Sequence, residues 1–237
     1  MTRGQLQVFP TLEDASRALA AEVARAMRET DAERSRVLLA LSGGGTPRRL
    51  HEILATEHDG LPWPRTHVFI GDERFVPEDS PESNYRMASE ALLDAVPVPP
   101  ENVHPWRTDL ATPAAAAYAM EDELYAIFRG HLPRFDVMLL GLGADGHTAS
   151  LFPGADVLEE QERRAMSSTA PSEPRQRLTL TLPVLNAARA VHFLVSGADK
   201  REALECALGE ADARCPASLV RPTDGSLTWW LDEEVAP

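Results

Sequence analysis

The stretch Phe135-Asp-Val-Met-Leu-Leu-Gly-Leu-Gly-Ala-Asp-Gly-His-Thr-Ala-Ser-Leu-Phe-Pro-Gly154 governs how the rest of the chain is read. Its apolar run, Val137 to Leu140, ends at glycine and shows no polar alternation, as expected of a strand buried on both faces. Ligands of open α/β sheets bind beyond the carboxyl ends of such strands. Asp145 and His147 therefore stand where a sheet presents chemistry. An imidazole takes up and returns a proton near neutral pH, and a nearby carboxylate can orient it. Gly141, Gly143 and Gly146 let backbone approach a small molecule closely or adopt positive φ.

Outward from this segment, strand-like runs alternate with helical stretches. Leu6 to Phe9, Arg36 to Leu41, His67 to Ile70, Leu178 to Leu182, Val191 to Val195 and Leu227 to Leu231 read as strands. Thr11 caps a first helix whose stripe is Leu12, Leu19, Val23 and Met27. Further helices are expected after Pro47, over Asn84 to Ala95, over Thr112 to Phe128 with Pro113 in its first turn, and up to Leu208. Pro153 to Pro174 reads as irregular. The alternation predicts one α/β domain over residues 1–237, a single doubly wound, mainly parallel sheet with helices on both faces.

Four loops following predicted strands should meet on one sheet edge. Ser42-Gly43-Gly44-Gly45-Thr46 precedes a helix at Pro47. Its unobstructed amides and the helix amino end favour an anion over a merely flexible turn, although no Gly-Lys-Ser/Thr follows as in a P-loop. The second loop holds Asp72, Glu73 and Arg74, which fit either a structural ion pair or a phosphate grip by Arg74 steadied by the two acids. The third holds Asp145 and His147. The fourth, Ser196 to Lys200, carries the only lysine of a chain with 22 arginines, a compact charge suited to a phosphate. Six other histidines are given no role; His51 and His58, seven apart, are expected to share a solvated helix face.

Composition narrows the function classes. A formal net charge of −14 disfavours nucleic acid and anionic membranes as partners. No apolar stretch is long enough to span a bilayer, and Met1 to Gln5 lacks a secretory core. Cys206 and Cys215 form no Cys-x-x-Cys pair, so a cytoplasmic location is expected. No metal-binding pattern and no Gly-x-Ser-x-Gly elbow is present. Hydrolysis would then rest on a base acting on water.

Taken in order, these segments resemble the glucosamine-6-phosphate isomerase/6-phosphogluconolactonase family, on its lactonase side. The resemblance runs nearly end to end. It rests on Leu41 to Pro47, on Gly71 to Pro77 with Ser83-Asn84-Tyr85, and on Gly141 to Gly154. Arg177 to Thr181, Gly197 to Lys200 and Pro216 to Val220 extend it. It implies hydrolysis of 6-phospho-D-glucono-1,5-lactone to 6-phosphogluconate in the oxidative pentose phosphate pathway. It also implies a sheet core shared with glucosamine-6-phosphate deaminase and ribose-5-phosphate isomerase, and no cofactor. By the same resemblance His147 is the base, Arg74 and Lys200 hold the phosphate with the Ser42–Thr46 loop, and Arg177 lines that pocket. The expected partner is a phosphorylated lactone, and the chain is expected as a monomer or small homo-oligomer.

Two positions depart from the family pattern: Gly45, where a hydroxyl side chain is commoner, and Arg86, where a small residue is usual. Two alternatives stay open at this point. Amino-sugar phosphate deaminases show Asp-Glu-Tyr and Gly-His-Ile-Ala-Phe-Asn where this chain has Asp72-Glu73-Arg74 and Gly146 to Leu151. A non-catalytic sugar-phosphate sensor is the other.

Overall fold

In chain order the strands are β1 (Gln5–Phe9), β2 (Val37–Leu41), β3 (Thr66–Ile70), β4 (Asp72–Arg74), β5 (Val103–His104), β6 (Val137–Leu140), β7 (Ala165–Thr169), β8 (Gln176–Leu180), β9 (Ala190–Val195) and β10 (Ser226–Asp232). The helices are α1 (Leu12–Glu33), α2 (Gly45–Thr56), α3 (Asn84–Ala91), α4 (Pro113–Ile127), α5 (Leu182–Ala187) and α6 (Arg201–Leu208). The computed structural model describes residues 4–237. Residues 1–3, part of the Met1–Gln5 stretch considered above, lie outside the described residues.

Seven strands form one wholly parallel sheet in the order β1-β10-β9-β6-β2-β3-β5. The central strands β2 and β6 are buried at every position, because a parallel sheet is covered on both faces. From β1 the chain moves to β2, β3 and β5, then returns to fill the gap with β6, β9 and β10. With right-handed crossovers the first three connections fall on one face and the later ones on the other. The packing agrees: α1 lies on α2 and α2 on α3, whereas α4 lies on β7 and β8. The direction of winding reverses between β2 and β6, which are hydrogen-bonded neighbours. A crevice opens at such a switch point. The strands that feed the four loops, β9, β6, β2 and β3, are consecutive in the sheet, so their carboxyl ends gather those loops.

Local chemistry sets the elements. Thr11 accepts the Asp14 amide at 3.1 Å and begins α1, a cap worth about 1 kcal/mol. Leu19, Val23 and Met27 are then fully buried. Thr112 caps α4 in the same way, with Pro113 in its first turn. The expected helix to Ala95 stops at Ala91, because Leu92 leaves the helical region at φ −142° and a 3₁₀ turn, Leu93–Ala95, follows.

The expected doubly wound parallel sheet is present, and a small three-stranded sheet, in the order β4-β8-β7, stands beside it. Of the stretch read as a strand over 178–182, residues 178–180 belong to β8, which stands outside the main sheet and pairs antiparallel with β4 and β7, while Leu182 begins α5. The supposed loop Asp72–Arg74 is β4 itself, and the supposedly irregular 153–174 contains β7. Glu121 on α4 ties this small sheet down by accepting the amides of Arg164 and Ala165, each at 2.9 Å. The solvated face expected for His51 and His58 also fails. His51 is fully buried on α2 with neither ring nitrogen partnered, and burial pushes its pKa down to about 4. Among the described residues no helix is long and apolar enough to cross a membrane.

Candidate active site

The loop after β6 folds tightly around its own polar groups. The Gly143 amide donates to His147 O at 2.8 Å and the Gly146 amide to Gly143 O at 3.0 Å. Gly146 turns the chain at φ +81°, a region open to glycine. These bonds bring His147 against Asp145. The imidazole Nδ1 lies 2.5 Å from Asp145 Oδ1, and the His147 amide donates to the same oxygen at 3.1 Å. Burial works against the Asp145 charge, but the His147 hydrogen bonds and charge outweigh it and hold the carboxyl below its usual range. An ionised carboxylate only accepts, so Nδ1 carries the proton and Nε2 keeps its lone pair. Phe152 packs on the ring, centroids 4.7 Å apart. The His147 side chain stays 33% exposed, enough for water to reach it. With the Gly143 and Gly146 amides both occupied, the amide of Ala144 stays without a backbone acceptor among the described residues.

Cationic groups collect at the same edge. Helix α2 starts at Gly45 behind Gly44, whose φ of +99° needs glycine, and no side chain caps it. Its first amides therefore face the cleft unpaired. Arg74 on β4 sits directly opposite Arg177 on β8. Arg177 is 8% exposed, its Nη1 is buried without a hydrogen-bond partner, and it makes no ion pair among the described residues. Burial, then the charge of Arg74, lowers its pKa. Two facing guanidiniums, one buried and without a direct ion-pair partner, form a site suited to an anion. Lys200 ends the 3₁₀ turn after β9, its Nζ 3.5 Å from Asp199.

The two acids of β4 do not grip Arg74 as an ion pair. Glu73 turns inward and its carboxylate accepts the amides of Arg74, Asn84 and Tyr85 within 2.8 Å and the Ser83 hydroxyl at 3.1 Å. Glu73 thus caps α3; burial pushes its pKa up to about 7 while these amides work the other way. Asp72 accepts the Ser150 hydroxyl at 2.7 Å. Arg74 donates instead to Glu82 O at 2.6 Å. Arg86 points elsewhere, to Glu90 and Asp79 O, outside the cleft.

The Ser42–Thr46 loop, Asp72, Arg74, Asp145, His147, Arg177 and Lys200 line one cleft of about 590 Å³, whereas Glu73 and Gly146 do not. Sequence reasoning missed Asn84, Ser150, Phe152 and Pro171 to Pro174 as cleft residues. Asn84 has a signal in hindsight. Its amide fills the space above Gly43, where a Cβ would come within 1.9 Å of it, and donates to Asp72 O. Nothing in the sequence marks 171–174, the tip of the β7–β8 hairpin, as a wall of the cleft.

Comparison with known proteins gives three concordant results. The family model described as glucosamine-6-phosphate isomerases/6-phosphogluconolactonase matches residues 10–229. The chain is 48% identical over 208 residues to the 6-phosphogluconolactonase of Synechocystis, covering 86% of this chain and 85% of that protein. It is 40% identical to the rat 6-phosphogluconolactonase, covering 98% and 93%. Among solved structures it is similar to 6-phosphogluconolactonase from Trypanosoma cruzi, with a TM-score of 0.89 and 30% identity, covering 98% and 96%.

Proposed function

The chain belongs to the glucosamine-6-phosphate isomerase/6-phosphogluconolactonase family, and on that premise we propose that it hydrolyses 6-phospho-D-glucono-1,5-lactone to 6-phospho-D-gluconate, with His147 as general base. Water held near Nε2 gives up a proton as it attacks C1 of the lactone. The imidazolium then protonates the ring oxygen as the C1–O bond breaks, so one water is consumed and the hydroxy acid released. Asp145 keeps the ring oriented through the contact at Nδ1. The amide of Ala144 donates to the developing oxyanion in this reading. The phosphate lies far from C1, so Arg74, Arg177, Lys200 and the amino end of α2 position the substrate rather than act on the bond. Asp72, fixed by Ser150, accepts from a sugar hydroxyl.

The observation that carries this reading is that the Asp145–His147 dyad opens into the cleft lined by Arg74, Arg177 and Lys200. A base and an anion site in one cavity suit a phosphorylated ester better than a neutral one. Residues 1–237 are read as one such domain, acting in the cytoplasm as a monomer or small homo-oligomer, with no nucleic-acid partner. The test is acid release from freshly generated phosphogluconolactone, with the spontaneous rate subtracted. Enzyme-dependent release is expected. No acceleration, together with ammonia release from glucosamine 6-phosphate, would move the chain to the deaminase side of the family; tight binding without turnover would make it a sensor.

A further inference from the structure

Glu73 does not line the cleft, yet it is 2% exposed and sits beside Arg74 on β4. Neighbouring residues of a strand point to opposite faces, so Arg74 meets the cleft while Glu73 lies behind its wall. The Glu73 carboxylate collects four donors. Oε1 accepts the amides of Arg74 and Asn84 at 2.8 and 2.7 Å, and Oε2 accepts the Tyr85 amide at 2.8 Å and the Ser83 hydroxyl at 3.1 Å. One buried side chain thus joins β4 to the first turn of α3 through charge-assisted bonds.

Both of the elements it joins reach the proposed phosphate site. Arg74 is tied twice: its amide to Glu73, and its Nη1 to Glu82 O at 2.6 Å, one residue before the Ser83 cap of α3. The direction of its guanidinium therefore follows the start of α3. Asn84 opens α3 and donates from Nδ2 to Asp72 O at 2.8 Å. Its side chain also fills the space above Gly43, where a Cβ would come within 1.9 Å of it. Gly43 belongs to the Ser42–Thr46 loop, which lines the cleft. A shift in the start of α3 would move Arg74 and that loop relative to one another.

We propose that Glu73 is a positioning residue: without touching the ligand, its carboxylate sets how Arg74 and the Ser42–Thr46 loop stand for the phosphate. Charge and position predict opposite effects of neutralising it. Glu73 acts on the charge of Arg177, so loss of a negative charge there would tighten anion binding. Loss of the clamp would weaken it. The pull of Glu73 on Arg177 is weaker than the effects of Arg74, Asp72 and Glu82, whereas a glutamine turns one acceptor into a donor that faces a backbone amide whichever way it lies. Position should therefore win. Burial pushes the Glu73 pKa up to about 7 against the pull of the amides, so protonation releases the same clamp. The charged groups that face it are Asp72 and Arg74 on its own strand and Arg177 on β8; α3 offers it only neutral donors, since Arg86 turns to Glu90 and Asp79 O.

The probe is sulfate, which does not titrate near neutral pH, bound to the full chain and followed by calorimetry. Well above the Glu73 pKa, Glu73→Gln should weaken sulfate about tenfold, the loss of about one hydrogen bond to a charged group. Well below it the parent has lost the same carboxylate, so the ratio of the two dissociation constants should fall towards one; the ratio cancels the titration of His147. Equal or tighter binding by the variant, a ratio that ignores pH, or a parent that does not bind sulfate overturns the proposal. Should the variant not fold, the Arg74 amide and Nε–H resonances of His147→Gln decide: both should move with one midpoint near 7, and a fixed Nε–H overturns the proposal. The effect on turnover rests on the lactonase reading. On the lactone, Glu73→Gln should raise KM about tenfold with kcat within about threefold, and an unchanged KM counts against the proposal. A parent inactive on the lactone would instead contradict the functional reading, with sulfate and the resonances still deciding the part of Glu73.

Discussion

Replacing Gly143 by alanine should disable the dyad while leaving the fold intact. A Cβ at this position would lie 2.0 Å from His147 Nδ1, 2.2 Å from its Cε1 and 2.7 Å from Asp145 Oδ1. Non-bonded heavy atoms settle at about 3.5 Å, so the ring must withdraw by about 1.5 Å. That exceeds the slack in the 2.5 Å contact with Asp145, since such bonds are lost beyond about 3.2 Å. The imidazole then loses both its orientation and the proton arrangement that frees Nε2. A misplacement of about 1 Å can cost about 10²-fold, or about 2.7 kcal/mol of barrier. We therefore expect kcat to fall about 10²-fold, within the 10²–10⁴-fold range of a general base. KM should move by less than about threefold, because the cationic groups are untouched. Gly143 does not have positive φ, so alanine adds no backbone strain and the thermal midpoint should hold. The assay is the initial rate of acid release at saturating fresh lactone, corrected for spontaneous hydrolysis. A folded variant keeping kcat within about threefold of the parent refutes the claim that this geometry sets the rate.

Four further outcomes follow from the same geometry. Lys200→Ala should raise KM by about tenfold or more with a smaller change in kcat, and an unchanged KM removes Lys200 from the phosphate site. Arg177→Met should leave the free protein as stable as the parent or more so, because it deletes a buried charge that has no direct ion-pair partner. It should also abolish most of the stabilisation that 6-phosphogluconate gives the parent in thermal melts; full retention of that stabilisation contradicts the anion site. At Gly45 an added Cβ meets nothing within 4 Å, so Gly45→Ser should fold normally and lower KM or leave it unchanged, whereas a large loss of activity would show that the amide cradle is strained by any side chain. For pH, burial holds the His51 pKa at about 4, against 6.5 for a solvated imidazole. Its stabilising share is thus complete above pH 6.5 and is lost as pH falls towards 4, by about 3 kcal/mol at 1.36 kcal/mol per pH unit. His51→Leu should flatten that acid limb in denaturant titrations, and an unchanged slope rejects this assignment.

How much of this was legible depends on which residues carried local signals. The buried strands Val37–Leu41 and Val137–Leu140 announced themselves by unbroken apolar runs, and glycine-rich segments after them marked the cleft edge. Thr11 marked one helix start as a cap, and Pro113 marked another as a first-turn residue. β4 and β7 were not legible because their pairing is non-local. Asp72–Arg74 becomes a strand only because β8, about a hundred residues later, lies beside it. Glu73 looked like a cleft acid, yet its place is decided by the free amides of α3. His51 looked solvated from its spacing, and only the packing of α2 on α1 shows its burial. The Asp145–His147 contact was open from sequence, since it depends on the Gly143–His147 turn closing.

The proposed chemistry stands or falls on proton transfer at one ring nitrogen. The most direct measurement is the ratio of kcat for the parent to that for His147→Ala on freshly prepared lactone, both corrected for the uncatalysed rate. Removing a general base predicts a ratio of about 10²–10⁴. A ratio below about ten, with the variant folded and still binding 6-phosphogluconate, contradicts it.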